Sequence, residues 1–96
     1  MNKLQEYAEQ GDAKAQALLG FKYYEGEGVE QDSKEAMKWF RKAAEQGIAQ
    51  ARHMLGWMYY IGDGVPEDDK EAVKWFRKAA EQGYAKAQYW LGGMYA

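Results

Sequence analysis

Ser33 and His53 are the only serine and the only histidine in the 96-residue chain, and no Cys or Thr stands in for them. Hydrolysis by a nucleophile and a base would also need an orienting acid and an oxyanion hole, whereas Ser33 belongs more simply to the start of a helix. Gly26 and Gly28 hint at a phosphate loop, yet no Lys-Ser or Lys-Thr pair follows and no strand precedes them. Asp63, Glu67, Asp68, Asp69 and Glu71 gather carboxylates without the alternating Asp or Asn ligands of a calcium loop, so they read as helix caps and solvated surface. His53 has no second imidazole as a metal co-ligand. The sequence thus predicts a protein that is not an enzyme and uses no metal or cofactor. The residues left over suit recognition: cationic or amide groups at Lys14, Gln50 and Lys86, and aromatic ones at Phe21, Trp57, Tyr60 and Tyr89.

Those side chains stand in a chain that is 47% hydrophobic and 16% aromatic, enough for one domain with a core. Against 13 Lys and Arg there are 15 Asp and Glu, a net charge of -2 that provides no long-range attraction to nucleic acid or anionic lipid. No apolar run approaches the ~20 residues of a membrane span, and residues 1–10 (MNKLQEYAEQ) are too polar for a signal peptide. The expectation is a soluble protein, with the cytoplasm favoured over export. The absence of Cys leaves the redox compartment open.

The elements that position the candidate residues come from repetition. A shift of 36 residues aligns 8–43 with 44–79 at 23 of 36 positions, and residues 80–96 repeat 44–60 at 10 of 17. With 15 Ala and only five Val or Ile, the repeat is helical throughout. Each unit opens with a first helix (12–25, 48–61, 84–96) bearing one apolar stripe, such as Ala15, Leu19 and Tyr23. A turn with two glycines follows, EGEGV or IGDGV, from which Val29 or Val65 returns to the core. The second helix starts at Asp32 or Asp68, with Glu35 or Glu71 completing a capping box. It buries Ala36, Phe40, Ala43 and Ala44 beside Trp39 and ends at Gly47; its twin ends at Gly83. Residues 1–10 form another helix of this second type, with Lys3 in the place of Trp39, as a solvent-facing cap requires. The expected organisation is a capping helix (1–10), repeat one (12–47), repeat two (48–83) and the first helix of a third repeat (84–96). Gly20, Gly56 and Gly92 lie inside helices at a cost of about 1 kcal/mol relative to Ala, which points to close approach of the paired helix.

The run AEQGIAQARHMLGWMYYIGDGVPEDDKEAVKWFRKA (residues 44–79) resembles a Sel-one-like repeat, the relative of the tetratricopeptide repeat with a slightly longer period. The marks are A-x-A-x-x-x-L-G-x-x-Y in the first helix, G-x-G-V in the turn, and D-x-K-E-A-x-x-W-F-x-K-A-A-E-Q-G in the second. The resemblance covers nearly the whole chain. It implies an all-α fold, a right-handed α-solenoid of antiparallel helix pairs that serves as a scaffold holding other proteins together. The cysteine-rich bacterial members of that family, associated with penicillin-like ligands, bridge each repeat with a disulfide, and this chain has no Cys.

A solenoid meets its ligand with side chains that internal packing leaves free, so the informative first-helix positions are those where the copies differ. They are Lys14, Ala17, Phe21 and Glu25 in the first copy, Gln50, His53, Trp57 and Ile61 in the second, and Lys86, Tyr89 and Gly93 in the third. Their spacing puts each set on one helical face. Similarity to tetratricopeptide repeats implies that this face is the concave groove and adds Tyr24 and Tyr60 as a contact position. The expected ligand is an extended or helical peptide with apolar anchors and some acidic character. The other use for Phe21 and Trp57 is packing between repeats. Lys34, Lys38, Arg41 and Lys42, echoed by Lys70, Lys74, Arg77 and Lys78, read as a solvated outer face partly stacked on Trp39 and Trp75. At the far end, Trp90, Leu91, Met94 and Tyr95 have no second helix to cover them, so a homodimer through that helix is the competing expectation. A piece of a longer array, or an engineered consensus, is a third.

Overall fold

The computed structural model describes residues 2–89, which form helices and the turns that join them. In chain order these are α1 (Asn2–Glu9), α2 (Ala13–Glu25), α3 (Ser33–Glu45), α4 (Ala49–Ile61) and α5 (Asp69–Glu81), and residues 85–89 are helical as well. α2 pairs with α3 and α4 with α5 as antiparallel hairpins, while α1 against α2 and α3 against α4 join each hairpin to the preceding element. The fold is an α-solenoid, with principal extents of 44 × 24 × 17 Å. Trp90, Leu91, Met94 and Tyr95, and with them the homodimer surface read from the sequence, lie outside the described residues.

The hairpin turn is closed by the caps. The carboxylate of Asp32 accepts from the N–H groups of Lys34 and Glu35 at 3.0 and 3.1 Å, and that of Asp68 from Glu71 at 3.1 Å. Only this half of the expected capping box forms. The N–H groups of Asp32 and Asp68 are already taken, each donating to the carbonyl of Tyr23 or Tyr59 at 2.9 Å, near the end of the preceding helix. The Glu35 and Glu71 carboxylates pair instead with Lys38 and Lys74 at 3.1 and 3.5 Å. Between the paired helices, Gly26, Gly28, Gly62 and Gly64 take φ of 72° to 79°, where a side chain would be strained.

The core is shared between units. Ala36, Phe40, Ala43 and Ala44 of α3 are wholly buried, as the pattern required. They cluster with Ala51, Leu55 and Met58 of α4 and Trp75 of α5. Trp39 packs with Ala8, Ala15 and Leu19. Each tryptophan therefore reaches back one unit, and Lys3, at the matching place on α1, is exposed. A Cβ added at Gly20 would lie 2.7 Å from Phe40 Cδ1, and one at Gly56 would lie 2.6 Å from Phe76 Cδ1. The close approach inferred from the sequence is thus made by a buried aromatic ring of the paired helix.

A polar ladder reinforces this stacking. Gln46 Nε2 donates to the Gly11 carbonyl at 3.0 Å and Gln82 Nε2 to the Gly47 carbonyl at 2.7 Å. Gln16, Arg52 and Gln88 donate to the carbonyls of Ala8, Ala44 and Ala80 at 3.1, 2.9 and 3.1 Å. These acceptors lie at or beyond the ends of α1, α3 and α5, where carbonyls lack intrahelical partners. The recurring Gln at 46 and 82 thereby acquires a physical reason.

Candidate functional site

Successive first helices, α2 and α4, leave two hollows on the surface between them. The first, about 330 Å³, is lined by Lys14, Ala17, Leu18 and Phe21 of α2 with Ile48 and Gln50 at the start of α4. The second, about 290 Å³, is lined by Tyr24 of α2 with His53, Met54 and Trp57 of α4. Under the 36-residue shift, positions 17, 18 and 21 of the first hollow become 53, 54 and 57 of the second, so the same row of three positions recurs in both, while Gln50, the counterpart of Lys14, lines the first.

Half-buried aromatics form the walls and are braced from beneath. Phe21 meets Phe40 edge-on with ring centroids 4.9 Å apart, and Tyr24 meets the same ring at 6.5 Å. Trp57 packs against the core and lies 6.2 Å from Tyr60. Packing and lining, which the sequence left as alternatives for Phe21 and Trp57, are done by the same side chains. Ala17 is only 8% exposed and belongs to the core. It is not a free side chain, because a methyl group at this position ends within the packed layer. Lys14 and Gln50 are exposed at the edges of the first hollow. Tyr60, Lys86 and Tyr89 are exposed and line neither hollow, as are Glu25 and Ile61. Gly92 and Gly93 lie outside the described residues.

His53, in the wall of the second hollow, has a displaced pKa. Its ring sits 5.7 Å from Phe76 and 5.3 Å from Tyr84, and its Nε2 is buried without a hydrogen-bond partner. Burial, and then the positive charge of Lys86, hold its pKa below the usual 6.5. At neutral pH the second hollow therefore has an uncharged imidazole in its wall.

Three lining residues escaped the sequence reading: Leu18, Ile48 and Met54. Leu18 is 56% exposed although it is a large apolar side chain. All three stand at positions where the copies differ, which was the available signal. The same signal misleads at Gln16 and Arg52, which differ between copies yet are engaged in the carbonyl ladder. Among the described residues no group of three His, Asp or Glu is placed to hold a metal ion. No helix there is long and apolar enough to cross a membrane.

The family model for the Sel1 repeat matches residues 13–48, 49–84 and 85–96. The chain belongs to the Sel1 repeat family. Sel1 repeat proteins are generally scaffolds for interactions between proteins, and the family is not an enzymatic one. Over 43 residues, 45% of its length, the chain is 47% identical to the secretory immunoglobulin A-binding protein EsiB of Escherichia coli, of which that match covers 9%. Among solved structures it is similar to a protective antigen of uropathogenic Escherichia coli displaying an SLR fold. That likeness has a TM-score of 0.97 at 47% identity and covers 99% of the chain and 20% of the antigen. A Sel1 repeat protein from Oxalobacter formigenes aligns with a TM-score of 0.87 at 43% identity, over 97% of this chain and 70% of that one. Helicobacter pylori cysteine-rich protein B aligns with a TM-score of 0.82 at 31% identity, over 88% and 63%. The chain thus spans a fifth or less of the Escherichia coli relatives. These Sel1 repeats contain no Cys, so their hairpins are held by the shared apolar core and the side-chain ladder.

Proposed function

We propose that these Sel1 repeats bind a segment of another protein along the face of α2 and α4, with apolar side chains of that segment seated in the two hollows. The observation that carries this reading is the recurrence of one row of lining positions in both hollows, which offers tandem subsites one repeat apart. Leu18 supports it, since its exposed surface adds nothing to internal packing and gains by being covered. The name of the Escherichia coli relative makes secretory immunoglobulin A the first partner to try. Peptides selected from a displayed random library supply an unbiased second ligand.

The experiment compares the chain with its Leu18→Asn and Trp57→Ala variants by surface plasmon resonance against both ligands, with helicity checked by circular dichroism. Leu18→Asn should cost roughly 1 kcal/mol of binding, the burial of about half a leucine side chain. Unchanged binding by both folded variants would refute the groove.

A further inference from the structure

We infer that the segment held in this groove is acidic as well as apolar, a statement about the occupant that depends on the groove binding just proposed. Charge is unevenly distributed over the molecule. The chain carries a net charge of -2, yet the described first-type helices hold four cations, Lys14, Lys22, Arg52 and Lys86, and one carboxylate, Glu25. Six of the fifteen carboxylates lie in the turns between paired helices, at Glu27, Glu30, Asp32, Asp63, Glu67 and Asp68.

Two of the four cations are already engaged. Lys22 pairs with Glu27 at 3.1 Å. Arg52 donates to the Ala44 carbonyl at 2.9 Å and to Gln82 Oε1 at 3.0 Å. Lys14 and Lys86 have neither an ion pair nor a hydrogen bond among the described residues, and both are exposed. Lys14 lines the first hollow, and Lys86 is near enough to His53 in the second for its charge to be felt there. They occupy the same repeat position two units apart, with the amide of Gln50 at the position between them. A carboxylate arriving at Lys14 meets a cation with no ion pair of its own, beside the apolar wall of the first hollow, and one arriving at Lys86 meets a second unpaired cation. A basic segment would instead bring like charges together with nothing to offset them.

The test is an array of random peptides about a dozen residues long, probed with the labelled chain at low and high salt. The expected bound set is enriched in Asp and Glu beside Leu, Phe and Trp. Its affinities should fall about fivefold for each lysine reversed, and the acidic preference should weaken in salt. The Lys14→Glu/Lys86→Glu double variant should lose these peptides and select Lys- and Arg-bearing ones. Lys34→Glu/Lys70→Glu, which makes the same change of net charge on α3 and α5, should keep the original set. A bound set without acidic enrichment, or an enrichment that survives reversal at Lys14 and Lys86, overturns the inference while leaving groove binding in place. A bound set that is empty, or that Leu18→Asn does not diminish, overturns both.

Discussion

The second helices of the two hairpins are near copies, and the first helices are not. α3 and α5 agree at 11 of 13 positions, whereas α2 and α4 agree at 6 of 13. α3 is packed against its own first helix and against the next one, and its buried apolar row changes at one position, Met37 against Val73, where one apolar side chain replaces another. Two of its three exposed lysines are committed as well. Lys38 and Lys42 lie 5.0 and 5.4 Å from the ring of Trp39, and Lys74 and Lys78 lie 5.0 and 6.0 Å from that of Trp75. In α2 and α4 the constant residues include Ala15 and Ala51, Leu19 and Leu55, and Gly20 and Gly56, all buried. Of the seven pairs that change, four line the hollows (14/50, 17/53, 18/54 and 21/57), 16/52 serves the ladder, and 22/58 and 25/61 do neither. Cohesion is thus invested in the second helices, and one divergent face of the first is left for the recognition proposed above.

This contrast can be broken at its strongest point by removing the ring against which each glycine packs. Phe40→Ala and Phe76→Ala should each cost about 3–5 kcal/mol in urea denaturation, because both rings are wholly buried. A loss below about 1 kcal/mol would mean that the rings are dispensable. Gly20→Ala and Gly56→Ala come next. Helix propensity alone would stabilise them by about 1 kcal/mol, but the added methyl collides with a ring that cannot retreat, so a net loss of about 1–3 kcal/mol is expected. Combining Gly56→Ala with Phe76→Leu should recover part of that loss, and strict additivity would contradict the contact. Gln46→Ala should lose about 1 kcal/mol, the value of its hydrogen bonds to the Gly11 carbonyl and to Gln16 Oε1, as a shift in thermal midpoint.

The smallest effect separates the hollow from the core beneath it. His53 is harder to protonate in the folded chain than in the unfolded one, so its contribution to stability is present above pH 6.5 and is lost as pH falls through its lowered folded value. Denaturation midpoints should therefore show a component below pH 6.5 that His53→Gln removes. Persistence of the full pH dependence in that variant would place the titration elsewhere.

Much of this architecture was legible in the residues. The 36-residue period, the paired glycines of the turn and the buried row of α3 follow from composition and spacing, because each recurs wherever the same backbone geometry recurs. The capping box was only half legible, since nothing local shows that the Asp32 N–H is already bonded to the Tyr23 carbonyl. Residue type also could not separate Gln16 and Arg52, whose side chains cap carbonyls, from Gln50, whose side chain borders a hollow. Leu18 was hidden for the same reason: apolar character on a helix stripe ordinarily signals burial, and here it is exposed.

Division of labour between the two helix types is tested most directly by titrating the isotope-labelled chain with an array-selected peptide and following backbone amide shifts. Changes should concentrate at residues 14–24 and 48–60, leaving the outer faces of α3 and α5 undisturbed. Changes centred instead on Lys34, Lys38, Lys70 and Lys74 would show that the near-identical helices, not the divergent ones, receive the partner.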